Sequence, residues 1–144
     1  MRSAQIEKDE MRFLVKKEKL TDIVNFRTLV VPGIDFDEHT AAKMLNLEYH
    51  QIPTISKKPE IEQVKEFLEL TDRLKQQSNK KLLAHCKAGA DRTGMYVLFY
   101  ELKNKLKNFQ EAAKEMLLMG HNRQRDPELL KQIEAIAKEL KIYR

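Results

Sequence analysis

A short apolar run between two amphipathic segments constrains the fold of this sequence more than any other feature. The run Leu-Leu-Ala-His at residues 82–85 has no polar face, which is typical of a strand covered on both sides. Residues 59–77 before it and residues 95–106 after it repeat apolar side chains at helical spacing. The apolar faces are Ile61, Val64, Phe67, Leu68, Thr71 and Leu74 before the strand, and Met95, Leu98, Phe99, Leu102 and Leu106 after it.

The rest of the N-terminal half alternates the same two patterns. Residues 10–19 and 37–45 predict helices, whereas residues 22–26 and 47–52 predict strands. Strands that alternate with helices are typical of a parallel sheet. We therefore expect an α/β domain with a small, mainly parallel central sheet flanked by helices.

The C-terminal part predicts a cluster of helices. One covers residues 109–117 and is stopped by Gly120. Earlier in the chain, Pro59 should lie in the first turn of the helix that ends near Gln77. A last helix should begin at residues 126–127, an Asp-Pro pair suited to a cap and first turn. Its buried stripe should consist of Leu130, Ile133, Ala137 and Leu140.

Length and composition favour one domain in a reducing compartment. The 144 residues, 42% of them hydrophobic, suit a single domain over residues 1–144. A single cysteine excludes an intramolecular disulfide, and no apolar run reaches the ~20 residues that cross a bilayer. We expect a cytoplasmic monomer without an integral membrane segment, and export stays open.

The basic charge does not by itself predict nucleic-acid binding. The net charge is +5, which favours anionic partners. The lysines, however, are spread over amphipathic segments, and the chain has no tryptophan and only 7% aromatic residues. We expect no nucleic-acid partner.

The segment after the apolar run carries the strongest chemical signal. His-Cys-Lys-Ala-Gly-Ala-Asp-Arg-Thr-Gly at residues 85–94 joins a strand end to a helix start, where ligands bind in open α/β sheets. A cysteine at a helix N-terminus beside a guanidinium favours the nucleophilic thiolate. The planar guanidinium of Arg92 matches two phosphate oxygens. We expect Cys86 to be the nucleophile and Arg92 the phosphate clamp.

The residues between these two should form an anion cradle. Backbone N–H groups of residues 87–92 can converge on an anion if the chain turns sharply, and Gly89 permits that turn. We expect Lys87, Ala88, Gly89 and Ala90 to bind the substrate phosphate.

Two further residues of the segment have supporting roles. The hydroxyl of Thr93 should donate to the sulfur of Cys86 and ease departure of the thiolate. His85 should brace the loop through hydrogen bonds rather than act as a base.

The segment resembles the signature of the protein tyrosine and dual-specificity phosphatases: His-Cys, five residues, then Arg-Ser/Thr-Gly. The match is complete, and Cys86, Gly89, Arg92, Thr93 and Gly94 all fall in register. The resemblance implies a phosphatase-like fold and phosphomonoester hydrolysis through a phosphocysteine, without a metal or cofactor.

A weaker resemblance extends along the chain. Arg-Ser-Ala-Gln at residues 2–5 and Asn-Phe-Arg at residues 25–27 are similar to segments of small bacterial and atypical dual-specificity phosphatases. Because such proteins usually have a strand before the first segment, two alternatives stay open: the chain has its natural beginning, or a preceding strand is missing.

The general acid departs from the family pattern. Most members have an aspartate about thirty positions before the cysteine, whereas residues 51–60 contain none. Either Glu60 or a more distant acid serves, or Asp91 protonates the leaving group, as the resemblance to phosphatases with Asp-Arg-Thr loops implies. We prefer Asp91, and helix capping is its alternative role.

The substrate stays open between two classes, phosphorylated proteins and inositol phosphates or phosphoinositides. Cys-Lys-Ala-Gly resembles phosphoinositide phosphatases, although Ala90 stands where those often have a second lysine. Residues 121–125 could frame the pocket, with Gln124 positioning water, or form a solvated connection.

Three other functions are alternatives to a phosphatase. A sulfurtransferase fits the spacing to Arg92 less well, and an arsenate reductase needs partner cysteines that the chain lacks. A catalytically weak phosphate-binding pseudophosphatase is the remaining alternative, because the upstream aspartate is missing.

Overall fold

Four parallel strands form one sheet in the computed structural model, which describes residues 1–28, 37–55, 59–87, 91–120 and 128–144. The strands in chain order are β1 (Arg2–Ser3), β2 (Asp22–Asn25), β3 (Glu48–Gln51) and β4 (Leu82–His85). Their order across the sheet is β1-β4-β2-β3, and each neighbouring pair is parallel. The predicted α/β class and the parallel sheet are confirmed.

Six helices within the described ranges cover the two faces of the sheet. They are α1 (Lys8–Glu18), α2 (Glu38–Met44), α3 (Ile61–Lys75), α4 (Asp91–Lys103), α5 (Phe109–Leu118) and α6 (Leu129–Glu139). One core cluster joins the sheet to α1 and α2, and a second, larger cluster joins it to α3, α4, α5 and α6. The predicted cluster of helices at the C-terminal end is therefore present.

Strand β4 lies between β1 and β2 and is covered on both faces, as its apolar sequence predicts. Leu83 packs in the cluster with α1 and α2, whereas Ala84 packs in the cluster with the other four helices. This alternation follows from the two-residue period of a strand. In register, Val24 lies opposite Ala84 and Asn25 opposite His85. Cys86 therefore directly follows a strand that is paired on both sides within the sheet.

Local signals set several helix ends. Asp37 caps α2, since its side chain accepts a hydrogen bond from the Thr40 N–H at 3.1 Å. Its hydrogen bonds with Thr40 lower the pKa of the Asp37 carboxyl group. Asn108 and Glu111 form a reciprocal capping box at the start of α5. Gly120, with φ of 107°, follows the end of α5, as predicted.

Three boundary predictions differ from the structure. Leu106 is 61% exposed because α4 ends at Lys103 and the chain turns through Lys105, whose φ is 58°. Pro59 precedes α3, which begins at Ile61. In α6 the fully buried leucine is Leu129, so the stripe begins one residue earlier than predicted.

The two-residue strand β1 has no signal in the sequence pattern. Its side chains are half-buried, and only pairing defines it: Arg2 lies opposite Ala84, and the Met1 ammonium donates to Leu82 O at 2.9 Å. Two residues are too few for a periodicity to register. Among the described residues, no helix is long and apolar enough to cross a membrane.

Candidate active site

Cys86 lies directly after β4, at the carboxyl end of the sheet. The residue is only 2% exposed. Backbone hydrogen bonds hold both sides of this strand end: Phe26 N–H donates to His85 O at 3.0 Å, and Gln5 N–H donates to Lys87 O at 3.1 Å. The position of the predicted nucleophile is therefore set by the neighbouring segments on both sides.

The helix predicted after the loop begins at Asp91, so residues 86–90 connect β4 to α4. Lys87 is exposed. Ala88, Gly89 and Ala90 lie outside the described residues, and the anion cradle assigned to them stays a prediction.

Arg92 occupies the first turn of α4 and reaches back to the sheet. Its Nη1 donates a long hydrogen bond of 3.5 Å to Phe26 O. Phe26 follows β2, and its own N–H bonds the end of β4. The guanidinium therefore lies at the same edge of the sheet as Cys86.

A second guanidinium, that of Arg2, lies close enough to Cys86 to interact with its charge. Burial lowers the pKa of Arg2, while the negative charges of Glu101 and Cys86 act in the opposite direction. Arg2 also lies 3.8 Å from Glu115. Strand β1 therefore brings a second positive charge near Cys86.

The glycine that closes the sequence signature is closely packed. A Cβ atom built on Gly94 would lie 3.0 Å from Met116 Cγ and 3.4 Å from Arg2 Nη2. Gly94 therefore allows α4 to approach α5 and β1 closely.

The hydroxyl of Thr93 is buried and has no hydrogen-bond partner among the described residues. Buried polar groups are normally paired, since an unmade hydrogen bond costs about 1–3 kcal/mol. The predicted hydrogen bond from this hydroxyl to the Cys86 sulfur is not formed in this structure. That donation stays a prediction.

The two acid candidates lie in different places. Asp91 is half-buried in the first turn of α4, where an aspartate also stabilises the helix dipole. Glu60 is exposed at the N-cap of α3, and its side chain makes no cap hydrogen bond. Asp91 is thus the candidate within the nucleophile's own segment.

His85 forms a buried pair with a residue that the sequence reading missed. Its Nε2 lies 2.7 Å from Glu38 Oε1 and 2.9 Å from Glu38 Oε2, and both side chains are at most 2% exposed. Its Nδ1 lies 3.4 Å from Cys86 O. The ring therefore joins α2 to the backbone of the candidate nucleophile.

Glu38 also accepts from two neutral side chains. Gln5 Nε2 donates to Oε1 at 3.1 Å, and the Tyr49 hydroxyl donates to Oε2 at 2.9 Å. Sequence spacing gave no signal for this cluster, because its members come from β3, β4, α2 and the segment after β1. A glutamate at the start of a helix is ordinarily interpreted as a cap or dipole partner.

Other predicted features are placed less fully. Residues 121–125, including Gln124, lie outside the described residues. In the described part of the chain, no three His, Cys, Asp or Glu side chains could hold a metal ion. Two surface cavities of about 500 and 520 Å³ share Met1 and Arg2, and Cys86 and Arg92 line neither. These cavities are not assigned to the substrate.

Solved phosphatases share this fold at low sequence identity. A phosphatase from Shewanella putrefaciens is 19% identical with a TM-score of 0.77, covering 96% of this chain and 83% of its own. TpbA of P. aeruginosa, solved with phosphotyrosine, is 16% identical with a TM-score of 0.74, over 97% and 84%. The catalytic core of SIW14 from S. cerevisiae, a PP-IP phosphatase, is 17% identical with a TM-score of 0.68, over 99% and 88%.

The family assignment comes from the sequence. No curated protein matches this chain. A family model described as a DSP-PTPase phosphatase fused to NAD+ kinase matches residues 1–136, nearly the whole chain. The chain therefore belongs to this family and is a cysteine-dependent phosphatase of the protein tyrosine and dual-specificity superfamily.

Proposed function

We propose that this phosphatase hydrolyses phosphomonoesters through a covalent phosphocysteine on Cys86. One observation carries the proposal: the two ends of the signature segment, Cys86 after β4 and Arg92 in the first turn of α4, lie at one edge of the sheet. Phosphoryl transfer depends mainly on positioning and on charge stabilisation, and this arrangement supplies both.

In the first step the Cys86 thiolate attacks phosphorus in line with the leaving oxygen. The S–P bond forms as the P–O bond breaks, and Asp91 gives its proton to the leaving oxygen. Arg92 holds two non-bridging oxygens in its planar fork. Backbone N–H groups of residues 87–92 bind the phosphoryl group as it transfers.

In the second step water attacks the phosphocysteine. Asp91, now ionised, takes a proton from the water, the S–P bond breaks, and orthophosphate leaves. Donation from the Thr93 hydroxyl stabilises the departing Cys86 thiolate in this step. His85 keeps the loop in place and takes no part as a base.

Two substrate classes are consistent with the similar structures. TpbA was solved with phosphotyrosine, SIW14 is a PP-IP phosphatase, and PTPMT1 was solved with PI(5)P. We propose either a phosphorylated protein or an inositol phosphate or phosphoinositide. The exposed cation of Lys87 beside the loop suits further phosphates on a ring.

The test compares turnover on phosphotyrosine peptides, phosphoinositides and soluble inositol phosphates between pH 5 and 8. Cys86→Ser should lower turnover by about 10⁴-fold or more, as loss of a covalent nucleophile does. The variant should keep its thermal unfolding midpoint. In the unaltered protein, mass spectrometry after acid quench should find phosphate on Cys86.

Three results would contradict the proposal. Absence of turnover on every substrate would favour the pseudophosphatase alternative. Activity retained by Cys86→Ser would remove the cysteine from the mechanism. Turnover without a trapped phosphocysteine under single-turnover conditions would argue for direct attack by water.

A further inference from the structure

The segment that follows β3 is fastened to the carboxyl end of β2. Ile52 N–H donates to Asn25 O at 3.0 Å, and Thr54 N–H donates to Phe26 O at 3.1 Å. Ile52, Thr54 and Phe26 are each at most 2% exposed. The backbone of residues 52–54 therefore stays beside β2 past the end of β3, at the edge of the sheet where the candidate site lies.

The side chain of Thr54 joins this segment to α4. Its hydroxyl oxygen lies 2.9 Å from Ile52 O and 2.6 Å from the hydroxyl oxygen of Tyr96, which is buried. Each of the two hydroxyl groups has one proton. Among the described residues, both protons have an acceptor when Thr54 donates to Ile52 O and Tyr96 donates to Thr54. The Tyr96 hydroxyl therefore holds Thr54 in place from the side of the helix.

Tyr96 and Arg92 lie on the same side of α4. They are four positions apart in this helix, and residues at that spacing are neighbours on a helix surface. The ring of Tyr96 stacks on the ring of Phe26, with 4.0 Å between their centroids. Arg92 Nη1 donates to the carbonyl oxygen of Phe26 at 3.5 Å. Phe26 therefore contacts Tyr96 through its ring and Arg92 through its backbone.

The carbonyl oxygen of Phe26 is shared by Thr54 and Arg92. It accepts from Thr54 N–H at 3.1 Å and from Arg92 Nη1 at 3.5 Å. A carbonyl oxygen has two lone pairs, so it can accept from both donors. A guanidinium matches two phosphate oxygens only in a defined orientation. A shift of Thr54 would move the acceptor that sets this orientation.

We propose that Tyr96 and Thr54 are positioning residues that orient the Arg92 guanidinium for the substrate phosphate. The Tyr96 hydroxyl holds Thr54, Thr54 N–H holds the Phe26 carbonyl, and that carbonyl holds one arm of Arg92. A guanidinium oriented in advance binds an oxyanion more tightly, because less side-chain freedom is lost on binding. The proposal rests on the proposed role of Arg92 as the phosphate clamp.

A purely structural role for Tyr96 is the alternative, and one substitution separates the two roles. The ring packs against Phe26 and Phe67, at 4.0 and 5.1 Å between centroids, and this packing does not need the hydroxyl. Tyr96→Phe keeps the ring and removes only the O–H. The matched control is Thr71→Val in α3, because Thr71 is another buried hydroxyl that donates to a carbonyl, Leu68 O, at 2.9 Å.

The test measures the dissociation constant of tungstate, a tetrahedral oxyanion that occupies a phosphate site without turnover, by calorimetry at pH 7. Tyr96→Phe should weaken binding about fivefold, the equilibrium equivalent of one buried hydrogen bond. Thr54→Val should have a similar effect, whereas Thr54→Ser keeps the hydroxyl and should restore most of the affinity. Thr71→Val should leave the dissociation constant within about twofold of the unaltered protein.

A double-mutant cycle shows whether the effect passes through Arg92. Arg92→Lys replaces the fork with a point charge, so Tyr96→Phe should no longer change tungstate affinity in that background. An equal loss in both backgrounds would mean that the hydroxyl only supports the fold. No loss in Tyr96→Phe, or an equal loss in Thr71→Val, would also show that the proposal is wrong.

A second measurement needs no bound anion. Rotation of the Arg92 guanidinium about its Nε–Cζ bond, followed by NMR and assigned through Arg92→Lys, reports how firmly Nη1 is held. The rate should rise in Tyr96→Phe and stay unchanged in Thr71→Val, and an unchanged rate in Tyr96→Phe would overturn the proposal. If the unaltered protein neither turns over phosphomonoesters nor binds tungstate, but the rate still rises in Tyr96→Phe, the proposed function fails and the positioning of Arg92 stands.

Discussion

Two carboxylate–histidine pairs lie at opposite edges of the same sheet, and their surroundings differ. At the carboxyl edge, Glu38 and His85 are both buried and the other donors to the carboxylate are neutral. At the amino edge, Asp22 is 1% exposed, but the side chain of His50 is 22% exposed. Lys80 Nζ also lies 3.6 Å from Asp22 Oδ2.

The two pairs differ in the groups that surround each carboxyl group. Asp22 has a cation of its own in Lys80 and a donor in Thr21 at 2.6 Å. Glu38 lacks a comparable cation among its described contacts, where its partners are Gln5, Tyr49 and His85. The pair at the carboxyl edge contacts the backbone of the candidate nucleophile, whereas the pair at the amino edge joins β2 to β3.

The largest expected effect tests whether Asp91, at the carboxyl edge of the sheet, acts as the general acid. Asp91→Asn should lower turnover of an alkyl phosphate by about 10²–10⁴-fold, because an unassisted alkoxide is a poor leaving group. Loss on nitrophenyl phosphate should be much smaller, since nitrophenolate leaves without a proton. The measurement is kcat/KM on both substrates.

Glu60→Gln is the competing variant for the same experiment. We expect this variant to retain turnover of both substrates within about twofold, because substitutions at exposed sites usually have small effects. A loss that depends on the leaving group in Glu60→Gln, but not in Asp91→Asn, would assign the acid to the segment before α3. Equal losses of Asp91→Asn on both substrates would instead indicate that Asp91 supports the loop.

The next effect concerns the amino edge. Asp22→Asn should lower the free energy of unfolding by about 1–3 kcal/mol, because buried hydrogen bonds to a charged acceptor are lost. It should leave kcat/KM within about twofold of the unaltered protein, because Asp22 lies at the opposite edge of the sheet from Cys86. Urea unfolding and steady-state kinetics on one preparation measure both. A tenfold loss of activity at unchanged stability would break the comparison between the edges.

The smallest effect concerns stability at alkaline pH near the carboxyl edge. The hydroxyl of Tyr96 lies 2.6 Å from that of buried Thr54, and its ring stacks on Phe26 at 4.0 Å. Burial raises the pKa of Tyr96 from 10.0 to about 12. Above pH 10 the folded state therefore binds more protons than the unfolded state, and the free energy of unfolding falls as pH rises.

We expect a fall of about 1 kcal/mol per pH unit between pH 10 and 12, measured by urea unfolding. Tyr96→Phe should flatten this limb, whereas Tyr143→Phe, which alters a tyrosine that is 41% exposed, should not. An identical slope in Tyr96→Phe would show that the contribution lies elsewhere, with Tyr49 as the next tyrosine to test.

Much of the architecture follows from local patterns. The run at residues 82–85 predicted a central covered strand, and the helical spacing of residues such as Val64, Phe67 and Leu68 predicted α3 within a few residues. These signals are strong because burial of one face requires a fixed period. The sequence pattern did not predict β1, which has only two residues. It also placed Leu106 in the apolar face of α4, although that helix ends at Lys103.

The sequence by itself determined the family, the fold class and the position of the candidate nucleophile, because these depend on residue types at fixed spacing within one segment. Only the tertiary structure decided which carboxylate stands behind His85. Glu38 is 47 positions from His85 and 33 from Gln5 in the chain. A buried carboxyl group is stable only where separate elements bring hydrogen-bond partners to it, and the spacing along a chain carries no information about that convergence.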